Sequence, residues 1–222
     1  MEARLTQINK NEALLYMGCR GEVSPELDAQ TDECIKLVLE TAKPRLVYRI
    51  FDINLGGSLG GSGFTPAGSS VSELLKDCRR AVLFAATLGS ELERLSAVWQ
   101  VRDMAKAVIL DACASSAIEN VCDNFCSDLE KELSPQYLTD RFSPGYGDFP
   151  FESQREICTI LDMPRKIGVS LTPGGLMLPQ KSVTALIGIA DTPQNKRFRG
   201  CAYCTRFKNC TIRKEQRSCG KN

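Results

Sequence analysis

Between Val101 and Leu133 the residues Met104, Ala107, Val108, Cys113, Ala114, Ala117, Ile118, Val121, Phe125 and Leu129 recur mostly at intervals of three and four. That periodicity predicts one long helix with a buried stripe, which the rest of the chain must cover. Small side chains at Ala107, Ala112, Ala114 and Ala117 let a second element approach it closely. Cys122 and Cys126 fall one turn apart in the same segment. Such a pair could form a metal fork, but with no histidine or further ligand nearby, packing as small buried hydrophobes is the better reading.

Shorter elements flank this helix. Glu26 to Thr41 places Leu27, Cys34, Leu37, Val38 and Leu39 at helical spacing and is closed by Lys43-Pro44. Arg45 to Ile53 is rich in β-branched and aromatic residues and reads as a strand. Asn54 to Gly63 holds five glycines in ten residues but neither the Gly-Lys-Ser/Thr ending of a P-loop nor the G-x-G-x-x-G spacing of a dinucleotide fold. A mobile hairpin or lid loop is expected there rather than a nucleotide site. Further along we expect a short helix at Ser72–Cys78, a buried strand at Ala81–Leu88, and a helix capped by Ser90 and running through Trp99. A short helix follows at Phe151–Leu161, with strands at Ile167–Leu171 and Ser182–Ala190. Helices and strands are interspersed without regular βαβ alternation, which predicts an α+β domain.

None of the 222 residues is histidine. Ser-His-Asp and Cys-His catalysis, mixed Cys/His zinc sites and imidazole-ligated haem or cobalt are therefore excluded within this chain. There is no run of about 18 apolar residues, so no membrane partner is expected. The opening residues do not read as a secretory signal, and eleven cysteines, an odd number, suit a reducing cytoplasm better than a disulfide framework. The overall charge of +1 hides an asymmetry. Lys196, Arg197, Arg199, Arg206, Lys208, Arg213, Lys214, Arg217 and Lys221 crowd the end of the chain against the single acid Glu215, leaving the body net negative. A compact basic end is either a solvated tail or a docking surface for phosphate, nucleic acid or an acidic protein.

The same end carries Cys201, Cys204, Cys210 and Cys219 as C-x2-C-x5-C-x8-C. Four thiolates at short spacing, in a segment too small to fold alone, suit a tetrahedral zinc site or an iron–sulfur cluster, with zinc ahead; the alternative is free thiols. Upstream, Arg141-Phe142-Ser143-Pro144-Gly145-Tyr146-Gly147-Asp148-Phe149-Pro150 is a loop shaped by two prolines and two glycines. Its arginine offers a fork suited to a carboxylate and its tyrosine a flat face with a polar tip, so it can hold a small ligand or serve as a structural turn.

The pattern R-x-x-P-G-Y-x-x-x-P, here Arg141, Pro144, Gly145, Tyr146 and Pro150, resembles the S-adenosylmethionine-binding motif of the activation domain of cobalamin-dependent methionine synthase. The continuation agrees through Phe151-Glu152-Ser153-Gln154, Ile167-Gly168-Val169-Ser170-Leu171-Thr172 and the stretch from Met177 to Gly188. Upstream, Ala86-Thr87-Leu88-Gly89 and Asp103-Met104-Ala105-Lys106-Ala107 are similar to stand-alone members of that family. After the strand that opens with Ser182-Val183, the family carries a ligand-holding tyrosine, whereas Asp191 to Phe198 contains none.

This resemblance implies a single domain over residues 1–195, with a bent, mainly antiparallel sheet and flanking helices, followed by the basic Cys-rich tail over 196–222. It implies an S-adenosylmethionine-binding module that supports reductive methylation of cobalamin on a separate methionine synthase lacking its own activation domain, with a reductant protein as second partner. Arg141 would hold the ligand's carboxylate. Gly145 and Pro150 would shape the loop, Tyr146 would lie near the corrin face, and Met177 and Pro179 are further corrin-contact candidates. No residue here is expected to be catalytic by itself, because the cofactor carries the chemistry and the protein positions it. Two other readings stand beside this one: an activator of another corrinoid methyltransferase, and a docking module whose zinc-stapled tail binds nucleic acid or an acidic protein, nucleic acid being the less favoured partner.

Overall fold

The fold was read from a computed structural model, which describes residues 1–19 and 21–194. The long helix predicted from Val101 to Leu133 begins at Met104, and Val101 and Arg102 belong instead to the helix before it. Helix α4 spans Ser90–Arg102, Asp103 stands in extended backbone, and α5 runs Met104–Leu133. Asp103 makes the break favourable, since its carboxylate accepts the Lys106 amide at 3.0 Å and so caps α5. Before these come α1 (Lys10–Tyr16), α2 (Pro25–Thr41), β1 (Arg45–Asp52), α3 (Ser69–Leu75) and β2 (Cys78–Thr87). After them come β3 (Tyr137–Leu138), α6 (Ser153–Leu161), α7 (Met163–Ile167), β4 (Ser170–Leu171), β5 (Met177–Leu178) and β6 (Ser182–Ala190).

Four strands form one antiparallel sheet in the order β1-β2-β6-β3, and β4 pairs with β5 in a separate antiparallel hairpin. This is the α+β fold, with flanking helices, that the sequence predicts. Strand β2 lies inside the sheet and reads as an almost unbroken apolar run because both of its faces are covered. Val82, Phe84 and Ala86 face the core built by α1, α2 and α5, while Ala81, Leu83 and Ala85 face a second core that includes residues of α3, α6 and α7. The small stripe on α5 works as expected: Ala114 and Ala117 are fully buried, Ala107 and Ala112 nearly so, and α5 packs on α2.

Several boundaries differ from expectation. Cys78 opens β2 rather than closing α3, and Gly89, not Ser90, stands at the N-cap of α4. Of the strand expected at Ile167–Leu171 only Ser170–Leu171 pairs, because Met163–Ile167 continues as a helical turn ended by Gly168 in the left-handed region. Helix α1, which sequence reading missed, is capped by the Asn9 side chain on the Glu12 amide. The glycine-rich segment is a packed turn rather than a free lid: Leu59 and Phe64 are buried and joined by backbone bonding, and the Gly60 amide donates to the Asp52 carbonyl at 2.8 Å.

Candidate functional site

The Arg141–Pro150 loop leaves β3 and lies along the edge of β6. Phe142 exchanges two backbone hydrogen bonds with Leu186, both 2.9 Å. The loop then closes on itself, Gly145 donating to the Phe149 carbonyl at 2.8 Å and Phe149 to the Tyr146 carbonyl at 3.0 Å. Phe142 and Phe149 stack beneath it with ring centroids 6.1 Å apart. Gly147 is required for close approach, since a Cβ there would meet Ser70 Oγ at 2.9 Å at a φ of +54°. These contacts turn a stretch that composition leaves ambiguous into a rigid platform with Tyr146 on its outside, 67% exposed.

Asp148 anchors the loop to α3. Its carboxylate accepts the Ser69 amide and hydroxyl, each at 2.6 Å, and the Ser70 amide at 3.0 Å. The Ser69 hydroxyl and the Ser70 amide, foremost among these donors, hold the carboxyl well below the usual carboxylate range. A depressed acid contributes stability that is present above its unfolded pKa and is lost only as pH falls through the lower folded value. Amide protection at Ser69 and Ser70, followed by NMR, is therefore expected to persist on acidification through about pH 4. In Asp148→Asn it is expected to be weakened already at neutral pH.

Arg141 is tied to α5. Its guanidinium donates to Glu119 at 2.6 Å and to Asp123 at 2.8 Å, acids one turn apart on the helix. Burial pushes the Glu119 carboxyl up, the Arg141 charge opposes this, and Asp123 and Glu12 add to it. Glu12 of α1 accepts from the Ser116 hydroxyl at 2.7 Å and lies near Tyr16, whose hydroxyl burial and the charges of Glu12 and Glu119 push up. The fork thus sits between two acids, with Cys126 Sγ at 4.0 Å from the same nitrogen that bonds Asp123, and Glu12 is adjacent to Glu119 rather than to the guanidinium. Sequence reading named no acid for this site. The signal was present as Glu119 and Asp123 at i and i+4, but only the tertiary fold brings Arg141 to them.

Of the corrin-contact candidates, Met177 is partly buried in the β4–β5 hairpin and Pro179 is buried behind it, while Leu176 and Leu178 are the exposed residues. Pro150 ends the platform and Gly145 lies on it at a φ of +89°. Along α5 an open groove of about 420 Å³ is lined by Tyr16, Met17, Met104, Val108, Asp111 and Ser115. Lys181 closes its rim with bonds to Asp111 at 2.9 Å and Ser115 at 2.8 Å. Cys122 is fully buried and Cys126 partly so, in keeping with packing, and burial pushes both thiols up. Among the described residues no group of three or more Cys, Asp or Glu side chains is placed to hold a metal ion, and no helix is long and apolar enough to cross a membrane. Cys201, Cys204, Cys210 and Cys219 lie outside the described residues.

A family model described as the activation domain of vitamin B12 dependent methionine synthase matches residues 81–203. Among solved structures the chain is similar to a MetH reactivation domain bound to AdoHcy, with a TM-score of 0.58 at 14% identity over 95% of this chain and 82% of that one. No curated protein sequence matches it.

Proposed function

Because the chain belongs to the activation-domain family of vitamin B12 dependent methionine synthase, we propose that it binds S-adenosylmethionine and supports reductive methylation of cobalamin carried by a separate synthase, with a reductant protein supplying the electron. The observation that carries this reading is the platform bearing Tyr146 outward beside a guanidinium flanked by acids. The amino-acid end of the ligand presents a carboxylate and an ammonium on one carbon. Arg141 takes the carboxylate through its remaining N–H donors, and Glu119, adjacent to it, takes the ammonium. The two groups then orient the sulfonium methyl toward the face on which Tyr146 stands. When the partner's cobalamin is bound there, it supplies the nucleophilic cobalt, and this chain contributes positioning.

Calorimetric titration with S-adenosylmethionine tests the proposal. Arg141→Ala is expected to weaken binding about tenfold or more, from the loss of a charge-assisted pair of about 1.5–3 kcal/mol. Removing Arg141 also leaves Glu119 and Asp123 facing each other, so thermal melting accompanies each titration. Arg141→Lys keeps the charge but loses the fork, and is expected to melt near wild type while still binding more weakly. Equal affinities in all three proteins would remove Arg141 from the ligand site.

For the tail, the four cysteines lead us to expect about one equivalent of zinc, or a visible iron chromophore, in anaerobically purified protein. Protein that neither carries nor takes up either metal would show that the tail is no metal site.

A further inference from the structure

Phe151 stands between the two segments that flank the site. Its ring meets Gly145 of the ligand platform on one side, where an added Cβ would lie 3.4 Å from Cδ2. On the other side it meets Gly175 at the tip of the β4–β5 hairpin, where an added Cβ would lie 2.9 Å from Cε1. Both glycines have φ in the left-handed region, so each segment turns sharply where it touches the ring. The first turn of α6 reinforces the arrangement. Arg155 donates to the Pro173 carbonyl of the same hairpin, and Gln154, buried, accepts from Thr184 of β6 at 2.7 Å. The hairpin has only two paired residues in each strand, and its tip closes through the Gly175 and Leu176 amides on Thr172. So short a hairpin has little rigidity of its own. The hairpin exposes Leu176 and Leu178, the platform exposes Tyr146, and the Phe151 ring between them is itself 40% exposed.

We infer that Phe151 is a positioning residue: it sets the spacing between the Tyr146 platform and the Leu176–Leu178 edge, so that the two meet the partner synthase's cobalamin-bearing face as one surface. This rests on the function proposed above. Phe151 acts through Tyr146 and the hairpin rather than through the ligand, since Arg141 and Glu119 are held by α5 and the edge of β6, not by the ring.

The test uses the full chain in two measurements. In calorimetry Phe151→Ala is expected to bind S-adenosylmethionine within about twofold of wild type. In the reactivation assay it is expected to need at least about tenfold more partner synthase for half-maximal rate, with a smaller change in the maximal rate. Phe151→Leu, which keeps an apolar wedge, is expected to recover part of that loss. Gly175→Ala, which drives a Cβ into the ring, is expected to reproduce it, and its effect is expected to be non-additive with Phe151→Leu. Hydrogen exchange supplies a readout independent of the partner: in Phe151→Ala the Gly145 and Gly175 amides are both expected to exchange faster. An unchanged half-maximal concentration, or parallel loss of ligand binding and rate, overturns the positioning role. Unchanged exchange at either glycine overturns the clamp itself. Wild-type protein that binds no S-adenosylmethionine overturns the underlying function and the positioning role with it, while exchange still reports on the clamp.

Discussion

Anaerobic incubation of this protein with a separate cobalamin-dependent methionine synthase trapped as cob(II)alamin, an electron donor and S-adenosylmethionine is expected to return methylcobalamin, and omission of any one of the four to abolish it. The electron balance sets the requirement. On the proposed function, one electron would reduce the partner's trapped cobalt, the sulfonium would then give up its methyl group to it, and the demethylated thioether would leave. The chain has no histidine with which to ligate cobalt, which is why the proposed function assigns the cobalamin to a partner. Tyr146→Ala is expected to lower the rate strongly while leaving ligand affinity within about twofold, because the ring is exposed and Arg141 and Glu119 are untouched. The measurement is the decay of the cob(II)alamin absorption and the rise of that of methylcobalamin. Methionine formation by this chain alone, or no methylation with a cognate synthase and a competent donor present, would sink the reading.

The largest loss of stability is expected from Phe84→Ala, about 3–5 kcal/mol in denaturant unfolding. Phe84 is fully buried in β2, pairs with β1 on one side and β6 on the other, and stacks on Phe125 of α5 with centroids 4.8 Å apart. Phe125 in turn lies 5.2 Å from Tyr48 of β1. Removing the ring leaves a cavity where the long helix docks on the sheet, in an interior that cannot collapse to fill it. The site is expected to feel the change, because α5 carries the two acids that hold Arg141. Ligand affinity should therefore fall in Phe84→Ala although Phe84 touches nothing in the site. Phe84→Leu, which fills more of the space, is expected to lose less than half as much. A loss below about 1 kcal/mol for Phe84→Ala would mean that α5 is held mainly by its other contacts.

Much of the fold was legible because periodicity is a local property. The stripe on α5, the continuous apolar runs of β2 and β6 and the helical spacing of α2 each follow from residues close in the chain. Boundaries were less legible where one residue type serves two roles. Cys78 is apolar enough to end a helix or begin a strand, and its pairing opposite Ala190 decides for the strand. The glycine-rich segment reads as free chain until Leu59 is placed in the core, a contact that depends on the second core beneath the sheet.

The sequence by itself determined the α+β class, the one long helix and the residues of the Arg141–Pro150 loop, since hydrophobic spacing and turn chemistry act over a few residues. It also excluded every imidazole chemistry within the chain, since composition alone decides that. Only the tertiary structure decided that the loop is a platform pinned by Asp148 to α3, that Arg141 meets Glu119 and Asp123, and that Phe151 bridges Gly145 and Gly175. The physical reason is common to all three. Each contact joins residues far apart in the chain or on separate elements, and its geometry is set by how the helices pack against the two faces of the sheet, which no local pattern encodes.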